Sequence, residues 1–224
     1  MAAILVLATF AVFILVDWLL SRHKAPQVKP AVAKPEVAVA TGLQSVVQGF
    51  LVPEDLRYHP GHTWVMQERR NQERIGLDEF AAALAGRVEK IDLPRKGHWI
   101  RQGQKIAALY RNGQKTELVS PTEGEVVEVN EEVLNNPALL RQDPYGKGWL
   151  ASVHVPDEEG ITRNLVPRNL VKGWMRDAVE RLYALQPRLA GAVAADGGRP
   201  AEDLLAGIPE VNWQEVTSEF FLTR

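Results

Sequence analysis

The sequence predicts a small, mainly β domain with short helices, preceded by a single transmembrane helix and followed by a helical extension. Three observations predict it. From about residue 51 to 155, short β-rich runs alternate with turn residues, the texture of a small sandwich or barrel. Asn112-Gly113 falls between two of these runs, the strongest short-range hairpin signal, because both central residues of a type I′ turn need positive φ. Residues 2–20, AAILVLATFAVFILVDWLL, carry one charge, Asp17, over about the length that spans a bilayer core.

Composition narrows the chemistry. The 224 residues carry a net charge of −2 and contain no cysteine. Disulfides, thiolate metal sites and cysteine nucleophiles are therefore excluded. With 26 basic against 28 acidic residues nothing suggests a nucleic-acid footprint, so no nucleic-acid partner is expected.

The apolar run comes first. Asp17 lies near its C-terminal end, where it can reach the headgroups beside Trp18, a typical interfacial residue. A cleaved signal peptide would place a basic region before the apolar stretch, and only Met1 and two alanines stand there. Arg22, Lys24, Lys29 and Lys34 all follow the run. By the positive-inside rule the rest of the chain faces the cytoplasm, from a single-pass anchor in an inner or cytoplasmic membrane. The lipid bilayer, met through residues 2–20, is thus the first expected partner. Residues 25–41, APQVKPAVAKPEVAVAT, read as a semi-rigid proline-rich spacer. The expected division is 1–21 for the anchor, 22–50 for the linker, 51–156 for the β domain and 157–224 for the extension.

Within the β domain, strands are expected at 62–66, 74–77, 87–93, 105–110, 116–119 and 124–129. A short helix is expected over 78–84, with Phe80, Ala81 and Leu84 on one face and Gly86 ending it. No catalytic constellation emerges, so no enzyme is expected. His59 and His62 are three residues apart with no third ligand nearby, so no metal site is expected. His62 is expected to pack beside Trp64 with a backbone hydrogen bond. Glu123, Glu125, Glu128, Glu131 and Glu132, interleaved with Val126, Val127 and Val129, fit a half-buried strand with a solvated face.

Several stretches, in order, resemble the glycine cleavage system H protein family. They are Tyr58-His59-Pro60-Gly61-His62-Thr63-Trp64, Ile75-Gly76-Leu77-Asp78-Glu79-Phe80-Ala81, Leu84-Ala85-Gly86 and Ile91-Asp92-Leu93-Pro94. Gly97 and Gly103 match two turn glycines. Ser120-Pro121-Thr122-Glu123-Gly124-Glu125-Val126-Val127-Glu128-Val129-Asn130 is close to the family pattern throughout. So are Asn136-Pro137 and Asp143-Pro144-Tyr145-Gly146-Lys147-Gly148-Trp149-Leu150. The resemblance implies a barrel-sandwich hybrid, the fold of lipoyl and biotinyl domains. It also implies a lysine at a hairpin tip that carries lipoate, in a pattern near glutamate-serine-valine-lysine-alanine. This sequence reads Tyr110-Arg111-Asn112-Gly113-Gln114-Lys115 instead. Counted from Gly97 or back from Ser120-Pro121, Gly113 falls on the lysine and Tyr110 on the glutamate. No bound cofactor is expected. The alternative is lipoate on the displaced Lys115, in a lipoyl carrier of glycine cleavage or a related pathway.

In the extension, Leu170, Val171, Trp174, Met175, Ala178, Val179, Leu182 and Tyr183 recur at helical spacing, and Pro187 should end the helix. Residues 201–205 are expected to form a short helix. Trp213, Phe220, Phe221 and Leu222 close the chain. These apolar groups are expected to pack on the β domain, the other option being a partner surface. The expectation for function is a membrane-tethered, non-catalytic interaction or assembly subunit with a protein partner.

Overall fold

A computed structural model describes residues 44–156, 164–185, 201, 203–206, 208 and 211–223, all within the unit Ala38–Arg224. Among these residues no helix is long and apolar enough to cross a membrane, and the run 2–20 lies outside them.

The described residues open on a hairpin of β1 (Gln44–Val47) and β2 (Phe50–Pro53), turned at Gln48-Gly49, both at positive φ. The domain thus starts inside the segment expected to be linker. Phe50 and Val52 are buried in the core, so ordered core residues precede and follow residue 51.

Next come β3 (Arg57–Tyr58), β4 (Thr63–Arg69) and β5 (Gln72–Leu77). α1 (Glu79–Ala85) follows. Asp78 caps its N-terminus, accepting from the Ala81 amide at 2.7 Å. Gly86 ends it at φ 66°, where a side chain would be strained. The strand expected at 87–93 shrinks to β6 (Lys90–Asp92), because residues 87–89 are taken up leaving the helix.

After β6 come β7 (Trp99–Ile100), β8 (Lys105–Arg111), β9 (Gln114–Val119) and β10 (Gly124–Val129). Two short helices, α2 (Glu131–Asn135) and α3 (Leu139–Gln142), lead to β11 (Ala151–His154). A six-stranded sheet runs β3-β4-β5-β11-β10-β7, and a three-stranded sheet runs β6-β8-β9. Ile75, Val126 and Val153 of the first share one core with Ile91, Leu109 and Leu118 of the second. The mainly β expectation with short helices therefore holds.

The extension packs on this core. A 3₁₀ turn (Arg168–Leu170) leads into α4 (Val171–Leu185), which buries Val171, Met175, Ala178, Val179 and Leu182. Residues 203–206 form a turn rather than the expected helix, and α5 (Trp213–Phe220) is capped by Asn212. Trp213, Phe220 and Phe221 are buried. At roughly 1.5–3 kcal/mol for each large apolar side chain, this contact is a substantial part of the domain's stability.

Candidate functional site

The β8–β9 hairpin is the candidate site. Arg111 pairs with Gln114, so Asn112-Gly113 is a two-residue loop, with φ of 49° and 74° as a type I′ turn requires. The apex stands in solvent, and a Cβ built on Gly113 meets nothing within 4 Å. No reactive side chain occupies it.

Below the apex the outer face of the sheet is a ladder of paired charges. The Tyr110 hydroxyl donates to Asp92 Oδ2 at 2.7 Å, and Lys90 Nζ lies 2.8 Å from Asp92 Oδ1. Lys90 also sits 4.9 Å from the centre of the Tyr110 ring. The hydrogen bonds from Lys90 and then Tyr110 hold the Asp92 carboxyl below the usual carboxylate range. Lys115 is registered opposite Tyr110 and donates from Nζ to Glu117 Oε1 at 3.0 Å. Glu117 also takes Lys105. Its hydrogen bond and charge push the Lys115 ammonium above the ordinary lysine value. Lys115 thus lies on the returning strand, with a side chain 47% exposed and its amine held protonated by its neighbour.

On the inner side, Arg111 is 12% exposed and pairs bidentately with Asp203, which is 8% exposed, at 3.0 and 2.9 Å. Arg111 Nη1 also donates to the Ala85 carbonyl at 3.2 Å. The same carbonyl accepts from Trp213 Nε1 at 3.0 Å, and the Leu204 amide donates to Ala83 O. These groups satisfy the last carbonyls of α1 and tie helix, hairpin and extension together. Sequence reasoning missed this junction. Arg111 and Asp203 are 92 residues apart, and no local signal links them.

His59 and His62 are engaged by partners other than a metal. His62 is buried, with Nδ1 2.7 Å from Asp78 Oδ2, its ring stacked on Trp174 and tilted against Phe80, each at 4.5 Å. Its partners are thus a carboxylate, Phe80 and Trp174 of α4, not Trp64. The Trp64 Nε1 donates instead to Leu77 O at 2.7 Å. His59 Nδ1 accepts from the Gly61 amide, and burial, then the neighbouring His62, lowers its pKa to about 4. Among the described residues no group of three potential ligands is arranged to hold a metal.

Residues 56–177 match the family model described as Glycine cleavage H-protein. The chain belongs to the glycine cleavage H-protein family. The H protein of Carboxydothermus hydrogenoformans is 36% identical over 122 residues, covering 54% of this chain and 93% of that protein. The H protein of Coprothermobacter proteolyticus is 36% identical over 106 residues, covering 47% and 84%. The crystal structure of an H protein from Mycobacterium marinum aligns over 50% of this chain and 96% of its own, at 25% identity and a TM-score of 0.43. The H-protein match runs from just before β3 into α4, so β1, β2, the junction residue Asp203 and α5 lie outside it.

Proposed function

We propose that this chain is a membrane-tethered, non-catalytic H-protein-like subunit that assembles with a protein partner and carries no lipoyl group. The observation that carries this reading is the hairpin apex. Counted from flanking family motifs, the lysine that the resemblance leads one to expect falls on Gly113, which offers no side chain to acylate. Lys115 does not fit the role. Acylation needs a free amine at an exposed tip, and this amine donates to Glu117 from within β9. Two residues along a strand is a displacement of roughly 6–7 Å, while about 1 Å of misplacement can cost two orders of magnitude in rate.

The tether is residues 2–20, with the domain on the cytoplasmic side of an inner or cytoplasmic membrane, on the strength of the cations that follow the run. The remaining boundaries are a spacer that ends before β1, an H-protein-like domain to residue 156 and an extension over 157–224. The named relatives favour a second reading, a lipoyl carrier acting through Lys115. The intact mass of the chain purified from its native membrane separates the two. The unmodified mass is expected. A mass heavier by one lipoyl group would establish the carrier instead.

A further inference from the structure

From Leu93 to Thr116 the chain has no acidic residue, yet it holds Arg95, Lys96, Arg101, Lys105, Arg111 and Lys115. That is a local excess of cations in a chain of net charge −2. Arg111 and Lys115 are absorbed by the hairpin. The others gather at one edge of the domain. β7 is the last strand of the six-stranded sheet, and a tight turn stands on each side of it. In one, the His98 amide donates to Arg95 O, with Gly97 at φ 83°; in the other, the Gln104 amide donates to Arg101 O, with Gly103 at φ 77°. Each turn has glycine third, where a type II turn needs positive φ, and each sets an arginine at its first corner.

Trp99, between the turns, is 47% exposed. It borders a groove of about 390 Å³ lined also by Arg95, His98, Ile100, Lys105 and Ile106. Glu125 stands opposite Trp99 in the sheet, and Glu117 pairs with Lys105. Arg95, Lys96 and Arg101 are left with no carboxylate partner among the described residues.

We propose that this edge, residues 95–105, is a contact surface for anionic phospholipid headgroups. The proposal rests on the membrane-tether reading above. Exposed tryptophan beside arginine and lysine is the composition of the membrane–water interface. Basic residues near an anionic leaflet are each attracted enough to change occupancy about fivefold. A tethered domain meets the bilayer at high effective concentration, so a few cations suffice. Residues 21–43, fully extended, reach at most roughly 80 Å, which keeps the domain near the surface.

The chain has no cysteine, so a single Gln104→Cys carries one environment-sensitive fluorophore at the groove. The labelled full chain is reconstituted in nanodiscs of phosphatidylcholine with and without phosphatidylglycerol. A blue shift is expected only with phosphatidylglycerol. It should be lost in high salt and in the Arg95→Gln, Lys96→Gln, Arg101→Gln variant, whose unchanged melting temperature shows it folded. A chain retained in the nanodisc after carbonate washing but indifferent to phosphatidylglycerol overturns this inference and leaves the tether standing. A chain released by carbonate overturns the tether and this inference with it. A shift produced by polyglutamate and not by phosphatidylglycerol overturns the lipid assignment in favour of an acidic protein.

Discussion

The β8–β9 hairpin and the run of residues 120–150 that follows it use their polar side chains in opposite ways. In the hairpin, Tyr110 bonds to Asp92 and through it to Lys90 of the neighbouring β6, and Lys115 bonds to Glu117, all on a wet surface. In the run, the glutamates stay exposed while Ser120, Thr122 and Asn130 are buried. The Thr122 hydroxyl donates to Glu73 at 2.6 Å. Asn130 accepts from the Glu132 and Val133 amides to cap α2, and donates to the carbonyls of Lys147 and Trp149, both at 2.7 Å. Asp143 accepts from the Gly146 and Lys147 amides. The bonds of the run are largely buried, and those around the hairpin are solvated. A buried polar group without its partner costs roughly 1–3 kcal/mol, whereas an exposed ion pair contributes roughly 0–1 kcal/mol. The fold therefore constrains the run and leaves the apex free to carry different chemistry.

The comparison breaks most severely if the scaffold loses its cover. A chain ending after Val155 strips Trp174 from His62 and Tyr58, and Phe220 from Phe80. Several large side chains at roughly 1.5–3 kcal/mol each approach a whole domain's stability of roughly 5–15 kcal/mol. The truncated protein is expected to aggregate or to melt far lower in calorimetry, and an unchanged melting temperature would show the extension to be free. Asn130→Ala is next. It removes the α2 cap and leaves two carbonyls without their donor, a loss of about 2–3 kcal/mol in urea unfolding.

His59 gives a pH-dependent test of the buried side. Its pKa is held near 4, against about 6.5 in an unfolded chain. Between those values the unfolded state binds a proton that the folded state refuses, so stability falls as pH drops from about 6.5 to about 4. The loss should reach on the order of 3 kcal/mol, and His59→Gln should flatten that part of the stability–pH curve. At the other extreme, Lys115→Ala removes only an exposed pair and should change unfolding by less than about 0.5 kcal/mol. A loss matching that of Asn130→Ala would erase the contrast between the two regions.

Much of the fold was legible because its signals are local. Asn112-Gly113 specified its turn, Gly86 ended α1, and β10 fell on 124–129. The β1–β2 hairpin was hidden because proline and valine before it blur into the spacer, and only burial of Phe50 and Val52 decides where folding begins. His62 was assigned the wrong neighbour because Trp64, two residues away on β4, is nearer in sequence than Trp174. At the candidate site, the position of Gly113 at the tip of a two-residue turn was readable from the Asn-Gly pair. The Glu117 partner of Lys115 lies two residues along the same strand, and the Arg111–Asp203 junction depends wholly on tertiary packing.

The central claim is that the hairpin keeps the geometry of a carrier without its attachment point. The direct test is intact mass of the protein and of its Gly113→Lys, Tyr110→Glu variant, each coexpressed with lipoyl ligase and supplied with lipoate. Gly113 has open space around it, so the new side chain fits, although its positive φ costs roughly 1–2 kcal/mol. The account predicts no added mass on the parent chain and one lipoyl group on the variant. A lipoyl group on the parent chain, lost on Lys115→Ala, would contradict it.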